Sequence, residues 1–398
     1  MTDTVPSSSL AARSAPPMRV LIISARDDLH PSAVGGDLHM GLASRQLAAA
    51  GHQVTHWVAT LPNGAREESR AGVRLQRLAP ARLLAPAVWA KLLLGGARAY
   101  DVVFEEVIGG ERTPFLSPVL SARPTIGMWY QDNRPLFAQT YGGPARRAAE
   151  IVQALLLRMY RGHRLVLPST QTRDWMLRSG FPADRLAVYP KFLETDSSGD
   201  GVLPFSSRRN LFVSIGAFRP LKRFEEAIEL HERLSLAVPD AELALVGRSD
   251  NAGYLAELRV RAARSPGAAH IRIVVDATEA EKFALLGAAK ALTIHSAIEG
   301  FAITVLEAGT RGVPTLTNPG TPNDTVRDGV NGRKVPFGDV AAYAAVLTEW
   351  FQQEPIWQRV SEGSRAVARE FTSRTLPAEV EALFESAAAD QRRPPPAR

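Results

Sequence analysis

KALTIHSAIEGFAITVLEAGTR (residues 290–311) reads as a strand, a turn and a helix in succession. The apolar run KALTIH (290–295) has the composition of a buried parallel strand, and Ile303 to Arg311 reads as a helix packed behind a Glu-Gly turn. Such a unit makes an anion site. Gly300 lets the backbone come close to a ligand, and the first free N–H groups of the helix point at whatever phosphate arrives. Glu299 lies at the mouth of the turn. Glu307 follows eight positions later, about one helical turn deeper, where a carboxylate can accept hydrogen bonds from vicinal hydroxyls. The arrangement suits a sugar joined to a phosphate. The plain alternative is a surface helix carrying a glutamate for its dipole, which accounts for Glu299 and accounts less well for Gly300.

Working outward, the same alternation of apolar strand and amphipathic helix fills the chain. MRVLIIS (18–24) is the first strand, followed by a loop through Gly35 and Gly36 and a helix that ends near Gly51. HQVTHWV, VRLQRL, DVVFEEV, PTIGMWY, RLVLP and LAVYP continue a parallel sheet. A second series runs through NLFVSIG, AELALVG, IRIVV, KALTIH and VPTLT. With 398 residues the chain is too long for one core. The predicted division is a domain over 18–193, a polar linker over 194–209, a second domain over 210–372, and a helix over 373–389 that packs back on the first domain. Residues 1–17 and 390–398 read as disordered tails. The expected class is α/β, with two Rossmann-like parallel sheets facing across a cleft.

Composition closes off several other classes. The sequence has no cysteine, which excludes disulfides, Fe–S ligation and thiol catalysis and agrees with a cytoplasmic protein. His52 and His56 fall in a strand pattern that separates them by about 13 Å, too far to share a metal. The net charge is +6, but Arg392, Arg393 and Arg398 supply half of it from the end of the chain, which argues against a nucleic-acid partner. No run approaches the roughly 18 apolar residues of a membrane span. ARLLAPAVWAKLLLGG (81–96) is apolar with basic residues, and reads as a domain helix or, alternatively, as a segment resting on a membrane.

Ligands of open parallel sheets sit at the carboxyl ends of the strands. That directs attention to the loops after SIG, LVG and KALTIH in the second half, and to those around Gly35–His39, Glu105–Pro114 and Tyr130–Arg134 in the first. Arg219 and Lys222 follow the first strand of the second series. Two cations there can neutralise a leaving pyrophosphate without a metal, or can simply be solvated residues opening a helix.

From about 18 to 385 the sequence resembles a family-4 retaining glycosyltransferase that uses nucleotide sugars, with the GT-B architecture. The resemblance rests on VGGDLHMGLASRQLAAAGHQVTHW (34–57), EGFAITVLEAG with its paired glutamates, and RGVPTLTNPGTPNDTVRDGVNGRKVP (311–336). It implies that Glu307 binds the donor ribose and that Glu299 contacts the transferred sugar. Gly300 and the backbone of Phe301, Ala302, Ile303, Thr304 and Val305 would hold that sugar and its phosphate. Lys222 matches the family's phosphate lysine, and Gly36 the glycine beside the diphosphate. The catalytic set implied is Glu299 and Lys222, with Arg219 standing in for an arginine whose place is taken by Ala217. Two further departures are Ala302, where the family usually has glycine, and Tyr130, where it often has histidine.

Retention comes from the resemblance alone. No Asp-x-Asp occurs in the chain, which argues against a metal-chelated diphosphate and implies a metal-independent site with no cofactor beyond the nucleotide-sugar co-substrate. On the acceptor side the candidates are His39, Glu106, Tyr130, Gln131 and Asp132. Glu105 and Glu111 add to the acidic character there, which favours an amino-sugar or aminocyclitol acceptor and secondary metabolism, or is ordinary loop solvation. The alternatives are a lipid-linked or polysaccharide acceptor, an epimerase or phosphorylase of the same fold, and a silent nucleotide-sugar-binding homologue.

Overall fold

In a computed structural model of the chain, the described residues are 16–30, 33, 35–107, 113–193, 202–249, 251–372 and 375–392. Glu111, residues 194–201 of the linker and most of both expected tails lie outside them. The first eight strands are β1 (Arg19–Ile23), β2 (Gln53–Ala59), β3 (Glu67–Arg70), β4 (Val73–Ala79), β5 (Val102–Glu106), β6 (Thr125–Met128), β7 (Arg164–Leu167) and β8 (Leu186–Val188). Six more follow: β9 (Leu211–Ile215), β10 (Glu242–Gly247), β11 (Ile271–Val275), β12 (Ala291–Thr293), β13 (Thr315–Thr317) and β14 (Gly332–Lys334). Every strand expected from the sequence is present, in an α/β fold with two mainly parallel sheets. By packing, the chain divides into two compact units that do not follow the sheets. One comprises residues 1–106, 115–126 and 381–398, the other 107–114 and 127–380.

In the first unit the order is β3-β4-β2-β1-β5. Val20 to Ile23 of β1 are fully buried, because parallel neighbours and helices cover both faces. The sequence reading of an all-parallel sheet needs one correction. β3 runs antiparallel to β4, joined through Ala71 and Gly72, both with positive φ (50° and 77°). That is the backbone of a two-residue hairpin, and Ala-Gly lacks the Asn-Gly signature that would have announced it. Gly35 and Gly36 also stand in the first turn of the helix Gly35–Ala49 rather than in a loop before it. The segment 81–96 forms the helix Leu84–Leu93, which buries Leu84, Ala85, Val88 and Leu92 and leaves Leu83, Leu93 and Leu94 exposed. Pro86 sits in its first turn, where an N–H would have had no partner. Phe384 of the last helix packs edge-on against Phe104, with ring centroids 5.2 Å apart. His56 is buried between the Ser24 and Ser44 hydroxyls (2.8 and 3.2 Å), and burial holds its ring down at about 3.

The second unit holds the six-stranded sheet, all parallel, in the order β11-β10-β9-β12-β13-β14. Its core gathers Phe212, Phe218, Phe224, Ile228, Leu243, Leu245, Tyr343, Leu347 and Trp350 around the sheet. Arg208, at the end of the linker segment, is buried and donates to the carbonyls of Leu203, Gly287, Ala289 and Arg311. The chain order reverses between β9 and β12, so the loops leaving those two strands flank a topological switch point. Lys222 lies on one loop and Glu299 on the other.

Strand ends here are packed backbone against backbone. A Cβ on Gly247 would stand 1.7 Å from the carbonyl oxygen of Gly216, and one on Gly332 would stand 2.1 Å from that of Thr315. Gly247→Ala is therefore expected to lower stability by about 3 kcal/mol or more, since neither backbone can move aside cheaply. Gly287→Ala, on an open helix face, is expected to stabilise by about 0.5–1 kcal/mol. Denaturant melts of the two variants check this, and equal effects would rule out the crowding.

Candidate functional site

The Glu-Gly turn is braced from below by the segment after β13. Asn318 donates from Nδ2 to the Ser296 carbonyl (3.0 Å) and accepts from the Gly320 N–H (2.8 Å). The Glu299 N–H in turn donates to the Gly320 carbonyl at 3.0 Å. Gly320 has no room for a side chain, because a Cβ would lie 2.1 Å from the Ala297 carbonyl. Phe301 points inward, 2% exposed, and packs with Leu306, Val367 and Phe371. Ala302 then takes a left-handed conformation (φ 62°, ψ 62°), and the helix Ile303–Thr310 starts without a side-chain cap. A methyl-bearing residue thus occupies the backbone state that favours glycine, at a strain of about 1–2 kcal/mol. The bend leaves the start of the helix open to an anion. Ile303 and Thr304 are partly exposed there and Val305 is buried.

Lys222 ends the short turn Pro220–Lys222 that Arg219 opens. Its aliphatic stem lies over Gly216, where a Cβ would come within 3.1–3.3 Å of Cγ, Cδ and Cε. The ammonium donates to Glu299 Oε1 at 2.5 Å, with the two side chains 25% and 13% exposed. Lys222 and Glu299, which the sequence reading expected at a phosphate and at a sugar, therefore meet. Gly216, a plain strand-ending glycine in the sequence, is what lets the lysine lie flat.

Glu307 has a partner that sequence reasoning missed. Lys282 donates to its Oε1 at 2.9 Å and also pairs with Glu279 at 2.8 Å. Burial pushes the Glu307 carboxyl above its ordinary value, with Lys282 opposing that shift. Burial pulls the Lys282 ammonium down, but the Glu307 and Glu279 carboxylates outweigh it and leave it raised. The other Glu307 oxygen, Oε2, is buried and lacks a hydrogen-bond partner among the described residues. Lys282 is placed by the helix Glu279–Ala288, which a capping box of Thr278 and Glu281 starts. Leu286 and Phe283 of that helix pack with Val305 and Ala308 of the helix bearing Glu307. Thr-x-x-Glu was the available signal for the helix, though not for the pairing.

Tyr130 and Gln131 come up against the turn. The Tyr130 carbonyl would lie 2.9 Å from a Cβ on Gly300, and Gln131 Oε1 3.6 Å from it. That carbonyl accepts the Thr172 hydroxyl at 3.1 Å, while the ring faces Lys191 Nζ at 5.7 Å. Asp132 is bound by Arg134 (2.6–3.0 Å) and by Gln153 Nε2 (2.9 Å). Burial would raise its carboxyl, but these partners outweigh that and hold it below the ordinary value. Gly36, His39 and Glu106 belong to the first unit. His39 is buried in the helix Gly35–Ala49, whose first turn holds Gly36, and Glu106 accepts the Ala25 N–H at 3.0 Å. Glu105 is buried as well, and burial pushes its carboxyl up to about 7 against the Ser117 N–H that it accepts. Among the described residues, no three His, Asp or Glu side chains gather closely enough to hold a metal ion.

Residues 200–367, which contain both glutamates and both lysines, match the family described as Glycosyl transferases group 1. Over the whole chain the fold is that of solved GT-B glycosyltransferases. Sucrose-phosphate synthase from Thermosynechococcus elongatus superposes with a TM-score of 0.69 at 16% identity, covering 94% of this chain and 98% of that one. WaaG, a glycosyltransferase involved in lipopolysaccharide biosynthesis, gives 0.68 at 16% identity, covering 93% and 99%. HepE from Anabaena, solved in complex with UDP and glucose, gives 0.65 at 15% identity, covering 95% and 100%. No curated protein matches the sequence. Within the matched residues, the Glu-Gly turn, its Asn318 brace and the helix from Ile303 are joined by hydrogen bonds and packing. Gly300→Ala is expected to cost about 1–3 kcal/mol, because the new methyl meets the Tyr130 backbone rather than a movable side chain. A thermal melt indistinguishable from wild type would contradict that packing.

Proposed function

We propose that the chain transfers a sugar from a nucleoside-diphosphate sugar to an acceptor hydroxyl with retention, without a metal ion. The observation that carries the reading is the convergence of the uncapped helix start at Ile303 with Lys222 and Glu299 at the switch point of the sheet. Diphosphate charge developing on departure would be met by helix N–H groups and by Lys222, with Arg219 as a further cation. Glu299 would orient the transferred sugar and share Lys222 with the phosphate. Glu307, with one unpaired oxygen, would accept the ribose hydroxyls. Retention without a protein nucleophile requires an oxocarbenium-like state, with leaving group and acceptor on one face, and a phosphate oxygen can take the acceptor proton. The residues then supply position and field rather than a titrating base.

The donor reading is tested by thermal-shift titration with UDP, GDP, dTDP and ADP, of which a matched nucleotide raises Tm by mass action. Glu307→Ala is expected to abolish that shift while leaving the ligand-free melt nearly unchanged. Lys222→Ala is expected to keep part of the shift but lower turnover by roughly 10² or more. Wild-type turnover in the lysine variant, or an intact shift in the glutamate variant, counts against the assignments.

For the acceptor we propose a cationic molecule of the amino-sugar or aminocyclitol class, met by Tyr130, Gln131 and Asp132. The support is the placement of Tyr130 and Gln131 against Gly300. A lipid-linked or polysaccharide acceptor is the second reading, favoured by the exposed Leu83, Leu93 and Leu94 beside Lys91. Among the described residues no helix is long and apolar enough to cross a membrane. Asp132→Asn should raise the KM of a cationic acceptor, and the effect should shrink at high salt. An acceptor KM unchanged at both ionic strengths excludes the charge.

A further inference from the structure

Glu307 needs two properties to serve as a ribose acceptor. It must be ionised, so that both oxygens accept, and it must be aimed. Its surroundings work against the first. The carboxyl is largely enclosed, its Oε2 has no donor among the described residues, and burial favours the neutral acid. Among the described residues, the charged groups whose fields reach it are Lys282, Glu279 and Lys191, of which Lys282 makes an ion pair with it. Glu279 acts in the opposite sense, and at 77% exposure its influence is screened.

Lys282 is built into this position. Its side chain is 12% exposed, and the capping box and the packing of Phe283 and Leu286 hold its helix against the helix that bears Glu307. It occupies one Glu307 oxygen and leaves the other. Rotation about the last glutamate torsion interchanges the two, so one oxygen is always free for a ligand hydroxyl.

We propose that Lys282 is a positioning residue that keeps Glu307 ionised and aimed, so that discrimination between ribose and deoxyribose in the bound nucleotide depends on it. The proposal rests on the assignment of Glu307 to the ribose. Without Lys282 the enclosed carboxyl takes up a proton as pH falls. A protonated Glu307 offers one acceptor fewer, and a vicinal diol loses more by that than a deoxy sugar does.

The test compares the affinities of UDP, GDP and ADP with those of their 2′-deoxy analogues from pH 6 to 8.5, by calorimetry on the full chain. Each pair shares its diphosphate, so phosphate titration cancels in the ratio. Wild type should prefer the ribonucleotide by about tenfold at every pH, the value of one hydrogen bond to a charged group. Lys282→Met should keep that preference at pH 8.5 and lose most of it at pH 6, and Lys282→Arg should restore a flat profile. Glu279→Gln, which leaves the ion pair in place, should stay flat. A flat profile in Lys282→Met overturns the proposal. So does an equal weakening of ribo and deoxy forms at all pH values, which is what mere structural damage would give. Should Lys282→Met not fold, Lys282→Gln carries the same expectation. If wild type binds the nucleotides but Glu307→Ala keeps the ribose preference, the assignment of Glu307 itself fails, a different outcome from the failure of Lys282.

Discussion

Backbone meets backbone at the carboxyl ends of the second sheet, with no side chain between. Gly216 against Gly247, Gly320 against Ala297 and Gly300 against Tyr130 each leave too little space for a Cβ. Loops packed this way have no soft layer to absorb displacement. The side chains they carry inherit that stiffness, so Lys222 and Glu299 are fixed by glycines that do no chemistry themselves.

The charges at this end of the domain are arranged in pairs that leave capacity to spare. Lys222 has Glu299, Lys282 has Glu307 and Glu279, and Arg134 has Asp132. The more exposed of these pairs, such as Arg134–Asp132, contribute about 0–1 kcal/mol to stability, so their importance lies in direction. An ammonium with three donors and a carboxylate with two oxygens can each take a further partner without breaking the first bond. Glu307 is the extreme case, since one of its oxygens has no partner among the described residues.

The fold was legible because buried parallel strands write themselves as continuous apolar runs, and all twelve expected runs are strands. β3 and β14 were missed because both are short and polar, and because Ala71-Gly72 turns without the usual asparagine. In the site, the Glu-Gly turn and the helix after it could be read from local spacing. Lys282 could not, as it meets Glu307 across two helices and 25 positions of sequence. Asp132 is different. Its partner Arg134 is two residues away, and the Asp-Asn-Arg-Pro run is a turn signal that would have accounted for the carboxylate before any ligand was invoked. Ala302 shows the limit of pattern matching. An alanine where glycine is usual suggests a changed backbone, yet the left-handed bend persists with a methyl on it.

β3 stands at the border of its sheet with the sequence EESR, and β14 closes the other sheet with GRK. Neither offers an apolar row of open N–H and C=O groups to a passing chain. A neighbouring molecule that tried to extend either sheet would bring its own strand against glutamate, arginine and lysine, and would strip water from them without return. The two segments that pattern reading overlooked, because they are so poor in hydrophobic signal, are thus the ones that discourage self-association. Each sheet has a second border, β8 (LAV) and β11 (IRIVV), so in a chain with 45% hydrophobic residues this protection covers one border of each sheet.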